Sequence, residues 1–210
     1  MKQTLYLIRH GNTPGTEKGI LYGSTDLPLT EAGFEQIRLM ASEGIYPDHK
    51  GAGIYTSGML RAEQTLAAIY GEVHHAKAPL LREFDLGIFE MMTVDEVLED
   101  EYGRAWLHGE VEDLRFEGGD SEEGFIARVD KGFHEIIERE AAEGREKIII
   151  VAHGGVIAYS MAACFPDRYE NKWDWTPDPG SGFVLHIEDG RVISWEPLGE
   201  PETGHIPTNN

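Results

Sequence analysis

Leu5-Tyr6-Leu7-Ile8 runs directly into Arg9-His10-Gly11-Asn12-Thr13. A short apolar run with β-branched and aromatic residues, bounded by a Gly/Asn/Thr/Pro cluster, predicts a buried strand ending in a tight turn. In open α/β sheets, ligands sit beyond the carboxyl ends of the strands. This reading therefore puts a cation and an imidazole where a ligand arrives. The pattern recurs near the other end of the chain, where Ile148-Ile149-Ile150-Val151-Ala152 leads into His153-Gly154-Gly155.

Working outward, Thr30-Glu31-Ala32-Gly33 opens a helical pattern that reaches about Ser42, with Thr30 as N-cap. Gly53 to Ser57 predicts a second strand, Arg61 to Tyr70 an amphipathic helix, and Glu72 to His75 a third strand. The stretch from Pro79 to Gly119 is less regular, with acidic helical pieces at Thr93–Glu101 and Tyr102–His108. A long helix follows from Glu122 to Glu143, and another from about Gly155 to Ala163. Gly182–Ile187 and Arg191–Pro197, around Glu188-Asp189-Gly190, predict a β-hairpin, since Asp-Gly suits its turn. Alternating strands and helices imply an α/β fold, a three-layer sandwich with a mostly parallel sheet, made mixed by the hairpin. Residues 1–198 are expected to form a single domain, and the polar residues 199–210 a mobile tail.

The chain has 210 residues, 40% of them apolar, enough for one sizeable core. Cys164 is the sole cysteine, which excludes an intramolecular disulfide and a cysteine-built metal site. A reducing compartment follows. The first apolar run stops at Arg9, too soon for a secretory segment, and no run reaches membrane-spanning length, so a cytoplasmic location is expected. The formal net charge of −20 argues against nucleic acid or a membrane as partner, since both need a basic footprint. It otherwise reads as solubility. An anionic ligand would have to be held by local cations, which is feasible because distant charges are screened over about 8 Å.

Arg9 and Arg61 are such cations if the strands they follow are neighbours. Arginine offers a planar, permanently charged fork suited to phosphate or carboxylate oxygens. The strand-to-helix passage at His153-Gly154-Gly155 adds backbone N–H groups. Imidazoles, guanidiniums and a helix start converging on one place describe an oxyanion site, most simply a phosphate site. A neutral imidazole is available near pH 7, and its attack on phosphorus would give a phosphohistidine that water then hydrolyses. The leaving oxygen needs a proton. Glu83, in Leu81-Arg82-Glu83-Phe84-Asp85, is the candidate donor and Asp85 its competitor. Each residue alone has an ordinary structural explanation; the functional reading rests on the set.

Arg9-His10-Gly11-Asn12-Thr13 resembles the Arg-His-Gly-x-Thr signature of the histidine phosphatase superfamily, also called phosphoglycerate mutase-like. Other segments agree in order and spacing: Asp26 to Gly33 (DLPLTEAG), Tyr55 to Thr65 (YTSGMLRAEQT), Leu81-Arg82-Glu83 with Gly87 and Glu90, Gly118-Gly119-Asp120-Ser121 with Arg128, and Val151 to Val156 (VAHGGV). The resemblance spans residues 4 to about 160. It implies an α/β/α sandwich around a six-stranded mixed sheet, with neither metal nor organic cofactor. It makes His10 the phosphorylated nucleophile and Glu83 the proton donor. Arg9, Arg61 and His153 would hold the phosphoryl oxygens, helped by Asn12, Thr16, Gly23 and the Gly154 backbone.

Three positions depart from the family pattern: Thr16 stands for a common Asn, Ile20 for a common Arg, and Met91 for the Gly that usually follows Glu90. Mutases of this family carry Glu-Arg-x-Tyr-Gly at the acid position and extra basic residues for a substrate carboxylate. Here Phe84-Asp85-Leu86-Gly87 follows Glu83, and the added Asp is a poor neighbour for a carboxylate. The expected activity is therefore phosphomonoester hydrolysis of a small phosphorylated metabolite, with phosphoglycerate mutase as the alternative. A non-catalytic phospho-ligand module on the same fold is a second alternative. GILYG at Gly19–Gly23, Phe89-Glu90-Met91 and the run from Tyr102 through Trp106 to the Gly119–Arg128 segment resemble α-ribazole phosphatases in part, which makes α-ribazole 5′-phosphate one candidate substrate. Phe84, Phe89, Met91, Met92 and Trp106 are candidates for an apolar wall beside the leaving group. Trp173 to Gly180 is expected to be a loop that lines the pocket or a dimer contact, so a homodimer stays open.

Overall fold

A computed structural model describes residues 1–169 and 171–199; the expected tail, beyond Gly199, lies outside them. In chain order the elements are β1 (Lys2–Arg9), α1 (Pro14–Lys18), α2 (Glu31–Ser42), β2 (Gly53–Thr56), α3 (Leu60–Tyr70), β3 (Ala76–Lys77), α4 (Val94–Glu99), α5 (Glu101–Leu107), α6 (Glu122–Ala142), β4 (Lys147–Ala152), α7 (Gly154–Cys164), β5 (Gly182–Glu188) and β6 (Arg191–Pro197). The strands form one sheet in the order β3-β2-β4-β1-β5-β6. The first four run parallel, and β5 and β6 add antiparallel at the β1 edge. This is the mixed, mostly parallel sheet the sequence predicts.

β4 reads as an unbroken apolar run because it is covered on both faces. Ile148, Ile150 and Ala152 join Leu5 and Leu7 in a core closed by α6 and α7. Ile149 and Val151 join Ile8 and Ile54 on the opposite face, under Ala62 and Leu66 of α3. The two-residue period of a strand thus divides one apolar segment between two helical layers.

The register positions the site. Arg9 of β1 pairs with Ala152 of β4, and Thr56 of β2 pairs with Val151. Three neighbouring strands therefore end together, and the residues just past them are His10, His153 and Ser57. Backbone bonds continue the ladder there, from His10 N to Ala152 O at 3.0 Å and from Ser57 N to Val151 O at 3.2 Å.

Two elements differ from expectation. The third strand is not at Glu72–His75 but at Ala76–Lys77, opposite Tyr55 and Thr56. The earlier residues are held as a connection: the His75 ring bonds Val73 O and the Glu63 carboxylate, both at 3.0 Å. The short helix α1 was unforeseen. Its capping box joins Thr13 and Thr16, with Pro14 opening the helix, a position where proline's fixed φ helps. Among the described residues, no helix is long and apolar enough to cross a membrane.

Candidate active site

The two strand-end histidines lie face to tilted face, ring centroids 5.3 Å apart. His10 is 3% exposed and His153 0%, so their hydrogen bonds fix their tautomers. His10 Nδ1 is 2.8 Å from Gly11 O. A carbonyl only accepts, so the proton is on Nδ1 and the lone pair on Nε2. For His153 the assignment reverses: Arg61 Nε donates to its Nδ1 at 3.2 Å, so its proton is on Nε2, 2.7 Å from Ser57 Oγ. Burial, then the Arg61 charge, pulls both imidazoles well below the ordinary histidine range. Both rings are neutral at pH 7.

Arg61 enters from the first turn of α3 and is completely buried. Besides His153, it donates through Nη1 to Thr25 O at 2.9 Å and through Nη2 to Gly23 O at 2.6 Å. Its guanidinium carbon lies 5.1 Å from the Tyr22 ring centroid. Glu90 holds the loop that supplies these carbonyls. Its carboxylate accepts from the N–H groups of Gly23, Ser24, Thr25 and Leu86 at 2.9–3.2 Å. Those bonds hold it below the ordinary carboxylate range, against the opposing effect of burial. Gly23 is required sterically, because a Cβ there would fall 1.6 Å from Phe84 O. With its N–H on Glu90 and its carbonyl on Arg61, Gly23 positions the arginine.

Arg9 Nη1 donates to Pro177 O at 2.7 Å, whereas its buried Nε has no hydrogen-bond partner. Burial lowers the pKa of both arginines, with Glu83 the first opposing charge. The Glu83 carboxylate accepts from Phe84 N and, at the start of α7, from Gly155 N, each at 2.9 Å. Asp85 instead accepts from Gly87 N at 3.0 Å within its own turn. Arg128 clamps this segment through the carbonyls of Leu80, Arg82 and Glu83, and pairs with Asp120 at 2.7 Å.

These groups border a cleft of about 530 Å³, where Arg9, Asn12, Thr16, Glu83 and Gly154 line the wall and Asp85 does not. His10, His153 and Arg61 are buried and are not among the lining residues. Asn12 Nδ2 donates to Gln36 at 2.8 Å. The Thr16 hydroxyl is engaged in the α1 cap, donating to Thr13 O at 2.9 Å and accepting from Thr13 N at 2.7 Å. Ile20 lines the cleft, so an aliphatic side chain takes the place where the resemblance favours arginine.

Of the proposed apolar wall, Phe84 and Trp106 face the cleft, joined by Leu21 and Trp173. Phe89 is buried under Trp106. Met91 is 43% exposed and has a φ of 67°, in the left-handed region. Sequence reasoning gave no role to Ser57, Tyr22 or Glu90. The predicted strand Gly53–Ser57 includes Ser57, whereas the folded strand stops at Thr56 and leaves Ser57 just past its end. Among the described residues, no three His, Cys, Asp or Glu side chains cluster to hold a metal ion.

A family model described as the histidine phosphatase superfamily (branch 1) matches residues 5–196. A broad-specificity phosphatase of Saccharomyces cerevisiae is 30% identical over 176 residues, covering 80% of this chain and 71% of that protein. A 2,3-bisphosphoglycerate-dependent phosphoglycerate mutase of Methylobacterium radiotolerans is 29% identical over 161 residues, covering 73% and 75%. The crystal structure of the α-ribazole phosphatase from Shigella flexneri superposes with a TM-score of 0.78 at 23% identity, covering 94% and 96%, a likeness of fold.

Proposed function

We propose, because this chain belongs to the histidine phosphatase superfamily (branch 1), that it hydrolyses phosphomonoesters of small metabolites through a phosphohistidine on His10. The observation that carries the reading is the His10 tautomer. A buried neutral ring whose Nδ1–H is spent on Gly11 O offers the Nε2 lone pair as nucleophile.

In the first step His10 Nε2 bonds to phosphorus and the ester P–O bond breaks. Glu83, in its protonated form, gives its proton to the departing oxygen. Arg9 and Arg61 offset charge on the equatorial oxygens, the main source of rate in phosphoryl transfer. His153 adds a neutral N–H donor, kept on Nε2 by the Arg61 bond to Nδ1, which turns from Ser57 Oγ to a phosphoryl oxygen. In the second step water attacks phosphorus, Glu83 takes its proton, the P–N bond breaks, and orthophosphate leaves with His10 neutral again.

The leaving group is read from the lining. Among the described residues, Arg9 and Glu83 are the only charged residues bordering the cleft. A substrate carboxylate would meet no second cation there, which favours hydrolysis over a phosphoglycerate mutase. Leu21, Phe84, Trp106 and Trp173 suit an apolar or planar leaving group, and α-ribazole 5′-phosphate is one ester of that kind. The test is phosphate release, with EDTA present, from a generic aryl phosphate, sugar phosphates, 3-phosphoglycerate and α-ribazole 5′-phosphate, comparing wild type with His10→Ala. Release that disappears in the variant supports the proposal. Isomerisation of 3-phosphoglycerate without release supports the mutase. Phosphate binding without turnover supports a binding module.

A further inference from the structure

The loop between α7 and β5 is built around the end of β1. Trp175, 1% exposed, anchors it through edge-on contacts with Tyr169, Phe183 and Trp195. From that mount the chain grips the nucleophile segment. Pro177 O accepts from Arg9 Nη1. Gly180 N donates to Arg9 O at 3.1 Å and to His10 O at 3.3 Å, and Arg9 N donates to Ser181 O at 2.8 Å. Tyr46 holds Gly180 O from outside at 2.9 Å.

Thr176 is one of three residues this loop brings to the cleft, with Trp173 and Pro179. Its backbone N–H is spent on Trp173 O at 3.0 Å. Its hydroxyl oxygen is buried and has no hydrogen-bond partner, as is Arg9 Nε. Unpaired buried donors are costly and uncommon. Two of them bordering one cleft point to a shared partner that comes from the cleft. Both side chains reach one spot over the start of α7: a methyl added to Gly154 would lie 3.2 Å from Thr176 Cγ2 and 3.4 Å from Arg9 Nε. Glycine at 154 lets both side chains close on the start of α7, a helix start that favours anions.

We propose that the Thr176 hydroxyl and Arg9 Nε–H together donate to one non-bridging oxygen of the substrate's phosphoryl group. The inference rests on the phosphatase reading above and adds to it a ligand from a loop whose sequence did not reveal its role. Arg9 would then have its two ends divided, Nη1 held by the loop and Nε facing the anion, with Thr176 completing the grip.

Thr176→Val removes the hydroxyl at nearly constant shape, and Thr176→Ser keeps it. Inorganic phosphate is the probe, measured by calorimetry on each full-length protein and as a competitive inhibitor of aryl phosphate hydrolysis. The expected result is a loss of phosphate affinity of about tenfold or more in Thr176→Val, in line with one hydrogen bond to a charged group, and a change of no more than about twofold in Thr176→Ser. A purely structural threonine would lower the melting temperature without changing the affinity of the folded protein. Should Thr176→Val fail to fold, Thr176→Ala against Thr176→Ser reads the same contrast. Wild-type affinity in folded Thr176→Val or Thr176→Ala overturns the assignment while leaving the phosphatase reading intact. Wild-type protein that neither binds phosphate nor cleaves any ester overturns both.

Discussion

Arg61→Lys keeps the charge and destroys the fork. In the folded chain the guanidinium serves three acceptors in different directions: the buried His153 Nδ1 and Gly23 O, and the half-buried Thr25 O. A lysine ammonium is a compact point on a flexible stem and leaves two of them without a donor. Each stranded buried acceptor costs about 1–3 kcal/mol, so the substitution should destabilise the fold by about 2–5 kcal/mol. That is a large share of the roughly 5–15 kcal/mol typical of a folded domain. Urea unfolding measures it as a lower midpoint at unchanged slope. On the proposed mechanism, turnover of an aryl phosphate by the folded variant should fall by about 10²–10³-fold, the scale seen when one donor to a transition-state oxyanion is removed. A stability loss below about 1 kcal/mol would refute the claim that this fork ties the Gly23–Thr25 loop to His153. Unchanged turnover would refute its place at the phosphoryl group.

The two buried imidazoles predict a pH dependence of stability. Both are depressed in the folded chain, so as pH falls through about 6.5 the unfolded chain takes up protons that the folded chain does not. The stability these rings contribute is complete above that pH and drains below it, by up to about 1.4 kcal/mol per pH unit for each ring. Urea midpoints between pH 7.5 and 5.5 should therefore fall more steeply in wild type than in His10→Gln, and equal slopes would contradict the account. Glu83→Gln should cut kcat/KM for an alkyl phosphate by about 10²–10⁴-fold but much less for p-nitrophenyl phosphate, whose leaving group needs no proton. Equal losses for the two esters would mean that Glu83 does not act as the acid. Met91→Gly should raise the melting temperature by a few degrees. It relieves a left-handed, exposed methionine worth about 1–2 kcal/mol, partly offset by the greater freedom of glycine in the unfolded chain.

The parts of this molecule written in local pattern were legible in the sequence. β1 and β4 are apolar runs that stop at Arg9-His10 and at His153, and strand-end logic brings both histidines to one place provided the strands are neighbours, which the register shows. Thr30 capped its helix as expected, and Asp189-Gly190 turned its hairpin. What stayed hidden depends on contacts between segments far apart in the chain. Nothing local shows that Glu90 will gather N–H groups from Gly23 to Thr25, or that Gly23 serves Arg61. The proposed preference for Glu83 over Asp85 rests on which carboxylate borders the cleft, and only the folded chain brings Gly155 N to Glu83. The misplaced third strand has a similar cause, because Ala76 pairs with Tyr55 only where the chain comes alongside it. The Trp173–Gly180 loop carried no periodicity to read, and its packing around Arg9 and His10 rests on backbone carbonyls and N–H groups that side chains do not advertise.

The central claim is a covalent bond between His10 and phosphorus, and rapid-quench trapping with a radiolabelled phosphomonoester tests it most directly. Mapping by mass spectrometry and phosphorus NMR should find an acid-labile phosphoryl group on Nε2 of His10, formed within one turnover and missing from His10→Ala. A label on His153, a label on Nδ1 of His10, or turnover with no covalent phosphoryl group at any time point would contradict the account.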